Sequence, residues 1–174
     1  MNFARQTFTL FLALLSFGCG GLHFSAIGQN SVSLDYVGST PANALARAFV
    51  GGLPTNAPCH CITWQLTLLP NQAGRLPGTF ELEASYSLPG RTDPNQMEPG
   101  PTVKLQGTWE ILRGTKIDSN AVVYRLSREK PDYSLSFVKI GDNFLHLLES
   151  DKSLAVGDPG WSYTLNKKGV GMDR

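Results

Sequence analysis

The clearest signal along this chain is an alternation of apolar and polar residues with a period of two. Ile62, Trp64, Leu66 and Leu68 alternate with Thr63, Gln65 and Thr67. Phe80, Leu82, Ala84 and Tyr86 alternate with Glu81, Glu83 and Ser85, and Val103, Leu105, Gly107, Trp109 and Ile111 with Lys104, Gln106, Thr108 and Glu110. Val122, Tyr124 and Leu126 continue the pattern, then Leu135 with Phe137, then Trp161, Tyr163 and Leu165. Successive side chains of a strand point to opposite faces, so these segments predict strands with one face in a core and the other in water. In Phe144-Leu145-His146-Leu147-Leu148 both alternating sets are apolar, which predicts a strand covered on both faces, with a helix over 42–48 as the cover.

The spacers carry turn chemistry. Pro70-Asn71-Gln72-Ala73-Gly74, Arg113-Gly114, Ile140-Gly141-Asp142-Asn143 and Gly157-Asp158-Pro159-Gly160 each separate two strands. Leu88 to Pro101, with four prolines and two glycines, predicts a longer irregular loop. Thr40-Pro41 has the form of a helix start, Thr as cap and Pro at the first helical position, so Ala42 to Ala48 predicts a short helix before Phe49 and Val50 open a strand. Residues 29–40 are small and polar and read as a tether. The count of about eight short strands predicts an all-β fold, a small antiparallel meander that closes into a barrel or half-barrel, with one short N-terminal helix. Closure removes exposed edges; a two-sheet sandwich is the alternative.

Composition narrows the classes further. Hydrophobic residues make up 41% of the 174 and charged residues 17%, too apolar for a disordered chain. The net charge of +1 lacks the basic surplus of a nucleic-acid binder, so no nucleic-acid partner is expected. The first 28 residues carry one charge, Arg5, ahead of the apolar run Phe8 to Phe17, which is too short to span a membrane as a helix. A basic start before a short apolar core is the pattern of an export leader. Two processing sites compete. Ala26-Ile27-Gly28 before Gln29 suits cleavage of a leader over 1–28, whereas Ser16-Phe17-Gly18-Cys19 resembles a bacterial lipobox, giving a leader over 1–18, lipidation at Cys19 and a flexible tether over 19–40. The expectation in both cases is an exported protein.

One constellation carries chemistry. Of the three cysteines, Cys19 is discarded or lipidated, which leaves Cys59 and Cys61 in Pro58-Cys59-His60-Cys61. Residues two apart in an extended segment project to one face with Cα atoms roughly 6.5 Å apart. That is near the upper limit for a disulfide, so a Cys59–Cys61 bridge needs a local bend, and such a bridge is easily reduced. An oxidising compartment favours the bridge. Two thiolates on one face also suit Cu(I), with His60 as a nitrogen ligand if the loop turns it inward. Bridge, metal site and idle structural pair all remain open, and copper is the cofactor to consider.

Other residues are weaker candidates. His146 on an apolar strand reads as a packed, hydrogen-bonded histidine, with a hydrolase built on it as the competing idea. Trp64, Trp109 and Trp161 share the inward sets and read as core; if they lined a cavity, the barrel would be a module holding a small apolar ligand. Glu81 and Glu83 share the water-facing side of one strand. The chain has no GxSxG, HExxH, P-loop or GxGxxG sequence, and no catalytic residue is assigned.

Asn43-Ala44-Leu45, Phe49, Gly52-Leu53-Pro54 and Pro58-Cys59-His60-Cys61-Ile62, in that order and followed by a strand of alternating Thr and Leu, resemble the NlpE-like family of bacterial envelope lipoproteins. Tyr86, Gly107-Thr108-Trp109, Leu145-His146-Leu147-Leu148 and Tyr163-Thr164-Leu165 continue the likeness, which covers about residues 43–168. The family is linked to copper resistance and to envelope-stress and surface sensing. The resemblance implies a lipocalin-like barrel over 41–170 and a non-enzymatic role. It implies an outer-membrane lipoprotein anchored through Cys19, facing the periplasm or the surface, with an envelope protein as partner; a soluble periplasmic or secreted protein is the alternative. It also implies that Cys59 and Cys61 sense or buffer copper or redox state. The family pair is Cys-x-x-Cys, whereas the pair here is one residue tighter, which alters metal geometry and disulfide strain.

Overall fold

The computed structural model describes residues 33–51, 61–71, 78–90, 92–93, 96–128 and 133–169. Eight antiparallel strands close into a barrel in chain order: β1 (Leu34–Pro41), β2 (Cys61–Leu69), β3 (Gly78–Pro89), β4 (Met97–Arg113), β5 (Val122–Arg128), β6 (Tyr133–Ile140), β7 (Phe144–Leu147) and β8 (Thr164–Lys167). The ring closes where β8 pairs with β1, Lys167 opposite Tyr36 and Asn166 opposite Val37. A single short helix, α1 (Ala44–Val50), lies between β1 and β2.

The period-two pattern places the core. Ile62, Trp64, Leu66 and Leu68 of β2, Phe80, Leu82, Ala84 and Tyr86 of β3, and Leu126, Leu135, Phe137, Leu145, Leu147 and Leu165 of later strands are all buried in one cluster. Side chains just fill the interior of an eight-stranded barrel. Here aromatic rings do much of that filling: Trp64 meets Phe137 edge-on with centroids 6.5 Å apart, and Trp109 lies 5.3 Å from Tyr124. Residues on the water-facing set are mostly polar, although Val37, Ile140 and Phe144 are exposed there. Val123 and Val138, paired across β5 and β6, form a second apolar cluster with Leu148, against which Leu112 packs.

Several expectations need correction. The tether over 19–40 gives way to a strand from Leu34, because Tyr36 points inward and is buried while Asp35, Val37 and Ser39 take the outer face. Thr40 is not a helix cap. It belongs to β1, and the cap is Asn43, whose side chain accepts from the Ala46 N–H at 2.8 Å. Phe49 and Val50 are therefore helical and buried rather than the start of a strand. The helix stops at Gly51, whose φ of 66° is open to glycine and whose N–H returns to the Arg47 carbonyl. The eighth strand is thus β1, not a strand opening at Phe49.

The proline-rich segment is also more regular than expected. β3 runs to Pro89 and β4 begins at Met97, with a register shift between Ser85 and Ser87. β5 pairs only with Thr108–Arg113, so among the described residues the first part of β4 has β3 as its one ladder partner. Pro99 and Pro101 sit in that stretch, where a missing N–H breaks no ladder bond on the β5 side. At the other end of the chain, the segment between β7 and β8 is an excursion with isolated bridges, Leu148 with Leu154 and Asp158 with Trp161. β8 starts only at Thr164, and Trp161 is 42% exposed, outside the core set to which alternation had assigned it.

Candidate functional site at the barrel rim

In an up-and-down barrel, one end collects the points where β1, β3, β5 and β7 finish and β2, β4, β6 and β8 begin. α1 closes that end. Its C-terminal carbonyls are held by side chains from across the rim: Arg128 at the end of β5 donates to the carbonyls of Phe49 and Val50, and the Tyr86 hydroxyl donates to the Gly51 carbonyl at 2.6 Å. These carbonyls lack helical donors, so the two side chains supply what the helix cannot. Phe49 packs against Phe80, ring centroids 6.1 Å apart, and plugs the interior from above. At the other end of the helix the Asn43 amide donates to Glu149 at 3.3 Å.

The entry to α1 is held from inside the barrel. The Trp64 indole N–H donates to the Thr40 hydroxyl at 2.8 Å, and that hydroxyl in turn donates to the Pro41 carbonyl at 3.2 Å. Both side chains are about 1% exposed. Cys61 opens β2 beside this bond, paired with Pro41 on one side and Ser87 on the other. By parity it belongs to the outer set with Thr63 and Gln65, yet it is only 6% exposed. Its sulfur is therefore a buried soft donor at the edge of the barrel mouth, on the outer side of the wall. Cys59, His60 and Cys19 lie outside the described residues, as do residues 1–28, where an export leader and its processing sites are expected. Among the described residues no three His, Cys, Asp or Glu side chains gather closely enough to hold a metal ion, and no helix is long and apolar enough to cross a membrane.

His146 is on the outer face of β7, between the inward Leu145 and Leu147. Its Nε2 lies 2.9 Å from the Ala155 carbonyl and its Nδ1 2.9 Å from the Thr164 hydroxyl. A carbonyl can only accept, so Nε2 carries the proton, and in the neutral ring Nδ1 accepts from Thr164. The Nε2 bond fastens the 149–163 segment onto β7, and the Nδ1 bond ties β7 to the start of β8. That segment, rather than α1, is the second cover of the strand; α1 packs on β6. Trp64 and Trp109 are core residues whose indole N–H groups are satisfied, Trp109 by the Leu69 carbonyl at 3.0 Å. The tryptophans do not line a common cavity, because Trp161 is outside. Glu83 pairs with Lys104 on the outer face of β3 and β4.

Charge is perturbed at few places. Burial pushes the Tyr36 hydroxyl up to about 12, aided by nearby Tyr124 and Asp142, so it stays neutral in the barrel. Burial also raises Tyr163, with Glu149 and Asp158 adding to the effect. The Lys116 ammonium, then the Ser153 hydroxyl and N–H, hold the exposed Asp151 carboxyl well below the usual carboxylate range.

Sequence patterning did not single out Arg128, and it read Tyr86 only as an inward strand residue and Thr40 as a helix cap, although all three hold α1 in place. The only available signal for Arg128 was a cation on the last residue of a strand, which is common on any surface. No protein-family model, curated protein or solved structure matches this chain. The likeness to the NlpE-like family rests on the short motifs in their order.

Proposed function

We propose that this protein is a non-enzymatic cell-envelope barrel of NlpE-like character, anchored through Cys19, whose Cys59–Cys61 pair senses or buffers copper or envelope redox state. The observation that supports the chemistry is the setting of Cys61. A thiol at the first residue of β2, shielded from bulk water at the mouth of a rigid barrel, is a soft donor in a low-dielectric spot, which favours Cu(I) over harder cations. With Cys59 two residues away, a two-sulfur site needs no ligand from elsewhere in the fold, and His60 would complete a third position. Oxidation of the same pair would give the redox reading.

Cu(I) titration of the purified protein under reducing conditions, in competition with a Cu(I) chelator, tests this. The expected result is one Cu(I) per chain, lost in Cys59→Ser and in Cys59→Ser/Cys61→Ser. An affinity unchanged in the double variant removes the metal role. An alternative reading, a lipocalin-like module with an apolar ligand inside the barrel, has less support. Trp64, Phe80, Phe137 and Tyr86 occupy the interior and would have to move aside.

A further inference from the structure

On the outer wall of the barrel, β4, β5 and β6 present three successive cross-strand rows. Leu112, Val123 and Val138 form one; Glu110, Arg125 and Ser136 the next; Ser127 and Ser134 a third. A groove of about 470 Å³ lies over them, with Leu45 of α1 at one end and Arg113 and Gly114 at the other. Its volume is within the range of small-molecule sites. The floor is apolar, from Leu112, Val123 and Leu148, and Ser134, Ser136 and Tyr133 add hydroxyl groups.

One wall is the 148–152 segment, and it is built firmly. Lys152 N–H donates to the Glu149 carbonyl at 2.9 Å, and Lys116 N–H donates to the Lys152 carbonyl at 3.0 Å. A Lys116–Asp151 ion pair of 2.7 Å ties the same segment to the β4–β5 turn. Lys152 is held there at φ 63°, the single non-glycine residue with positive φ among the described residues.

The charges facing the groove are unequal. Arg113, Arg125 and Lys152 line it against a single carboxylate, Glu149. Glu149 already accepts from the Asn43 amide, and Arg125 is paired through Nη2 with Glu110. Among the described residues the Arg113 side chain donates to the Asn120 carbonyl alone, and no ion pair engages Arg113 or Lys152. The Arg125 Nε–H is buried with no acceptor among the described residues. A groove with an apolar floor, hydroxyl groups on its sides and surplus cations at its margin is complementary to an apolar body carrying a negative head.

We propose that this outer groove binds a small amphipathic carboxylate, its chain lying over Leu112, Val123 and Leu148 and its head taken by Arg113 and Lys152. This site is independent of Cys59 and Cys61 and does not rest on the metal reading. Calorimetric titration of the purified full chain with dodecanoate, kept below its micelle concentration, tests it, with dodecanoate methyl ester as the neutral control. The expected result is saturation at one per chain, at least tenfold weaker binding of the ester, and binding that weakens as salt is added. Arg113→Gln/Lys152→Gln, both at exposed or half-exposed positions, should weaken dodecanoate at least tenfold with an unchanged melting curve. Val123→Ala should weaken dodecanoate and ester alike. Failure of dodecanoate to bind, equal affinity for the ester, or full affinity in the double variant overturns the proposal. Amide chemical-shift changes confined to residues away from β5, β6 and 148–152 also overturn it.

Discussion

The bond between Trp64 and Thr40 is the point at which the barrel interior grips the entry to α1 and the start of β2, and it can be weighed directly. Thr40→Val keeps the shape of the side chain but replaces the acceptor with a methyl group. The indole N–H is then left in a site about 1% exposed, 2.8 Å from carbon instead of oxygen. An unsatisfied buried donor costs about 1–3 kcal/mol. The lost Thr40 donation to Pro41 adds to that cost, and the extra apolar burial of the methyl offsets part of it. The expected net loss is about 2 kcal/mol, or roughly 4–8 °C in Tm for a domain of this size. Trp64→Phe should cost about 3 kcal/mol, mainly through the space left beside Phe137. The decisive quantity is the double variant. With donor and acceptor both gone, no indole N–H is stranded and only the Pro41 carbonyl still lacks its Thr40 donor, so the loss should fall short of the sum of the singles by about 1 kcal/mol. Urea unfolding followed by far-ultraviolet circular dichroism gives all four stabilities. Single effects that add within about 0.3 kcal/mol, or a Thr40→Val variant as stable as the parent, would refute the reasoning.

Two other outcomes follow from the same coordinates. A Cβ at Gly107 would lie 2.2 Å from the Ser127 carbonyl oxygen and 2.7 Å from the Phe80 ring, so Gly107→Ala should destabilise by about 2–3 kcal/mol in thermal melts as β4 is pushed from β5. Tyr36 is held neutral up to about 12 against an ordinary value of 10.0, so its contribution is complete below pH 10 and is lost as the pH climbs through the folded value. Unfolding measured from pH 9 to 12 should show a decline of about 2–3 kcal/mol that Tyr36→Phe removes.

Much of the fold was legible because alternation is a local property. Each of β2 to β7 was visible as a run in which every second residue is apolar, and turn residues marked most of the ends. β1 was missed because its outer face is Asp35, Val37 and Ser39 and its inner face includes Gly38 and Thr40, so one aromatic, Tyr36, carries the inward signal. The helix was legible but misplaced. Thr40-Pro41 has the local form of a helix start, yet the ladder to β2 and the Trp64 bond hold Thr40 in the sheet, and the cap passes to Asn43. Trp161 was assigned to the core because parity alone cannot show that a strand has not yet begun.

The candidate sites divide in the same way. The Cys59-His60-Cys61 cluster is a matter of neighbours in sequence and could be seen at once. The outer groove could not, since Arg113, Arg125 and Lys152 come from three separate segments, and each looks like an ordinary surface cation where it stands. What the amino-acid order settled by itself is the alternating wall, the turns and the sulfur pair, because backbone pleating and short spacing depend only on adjacent residues. Which strand closes the ring, what covers His146, and which charges meet over Val123 were decided only when strands distant in the chain came together, because ladder register and packing bring together residues that no local pattern relates.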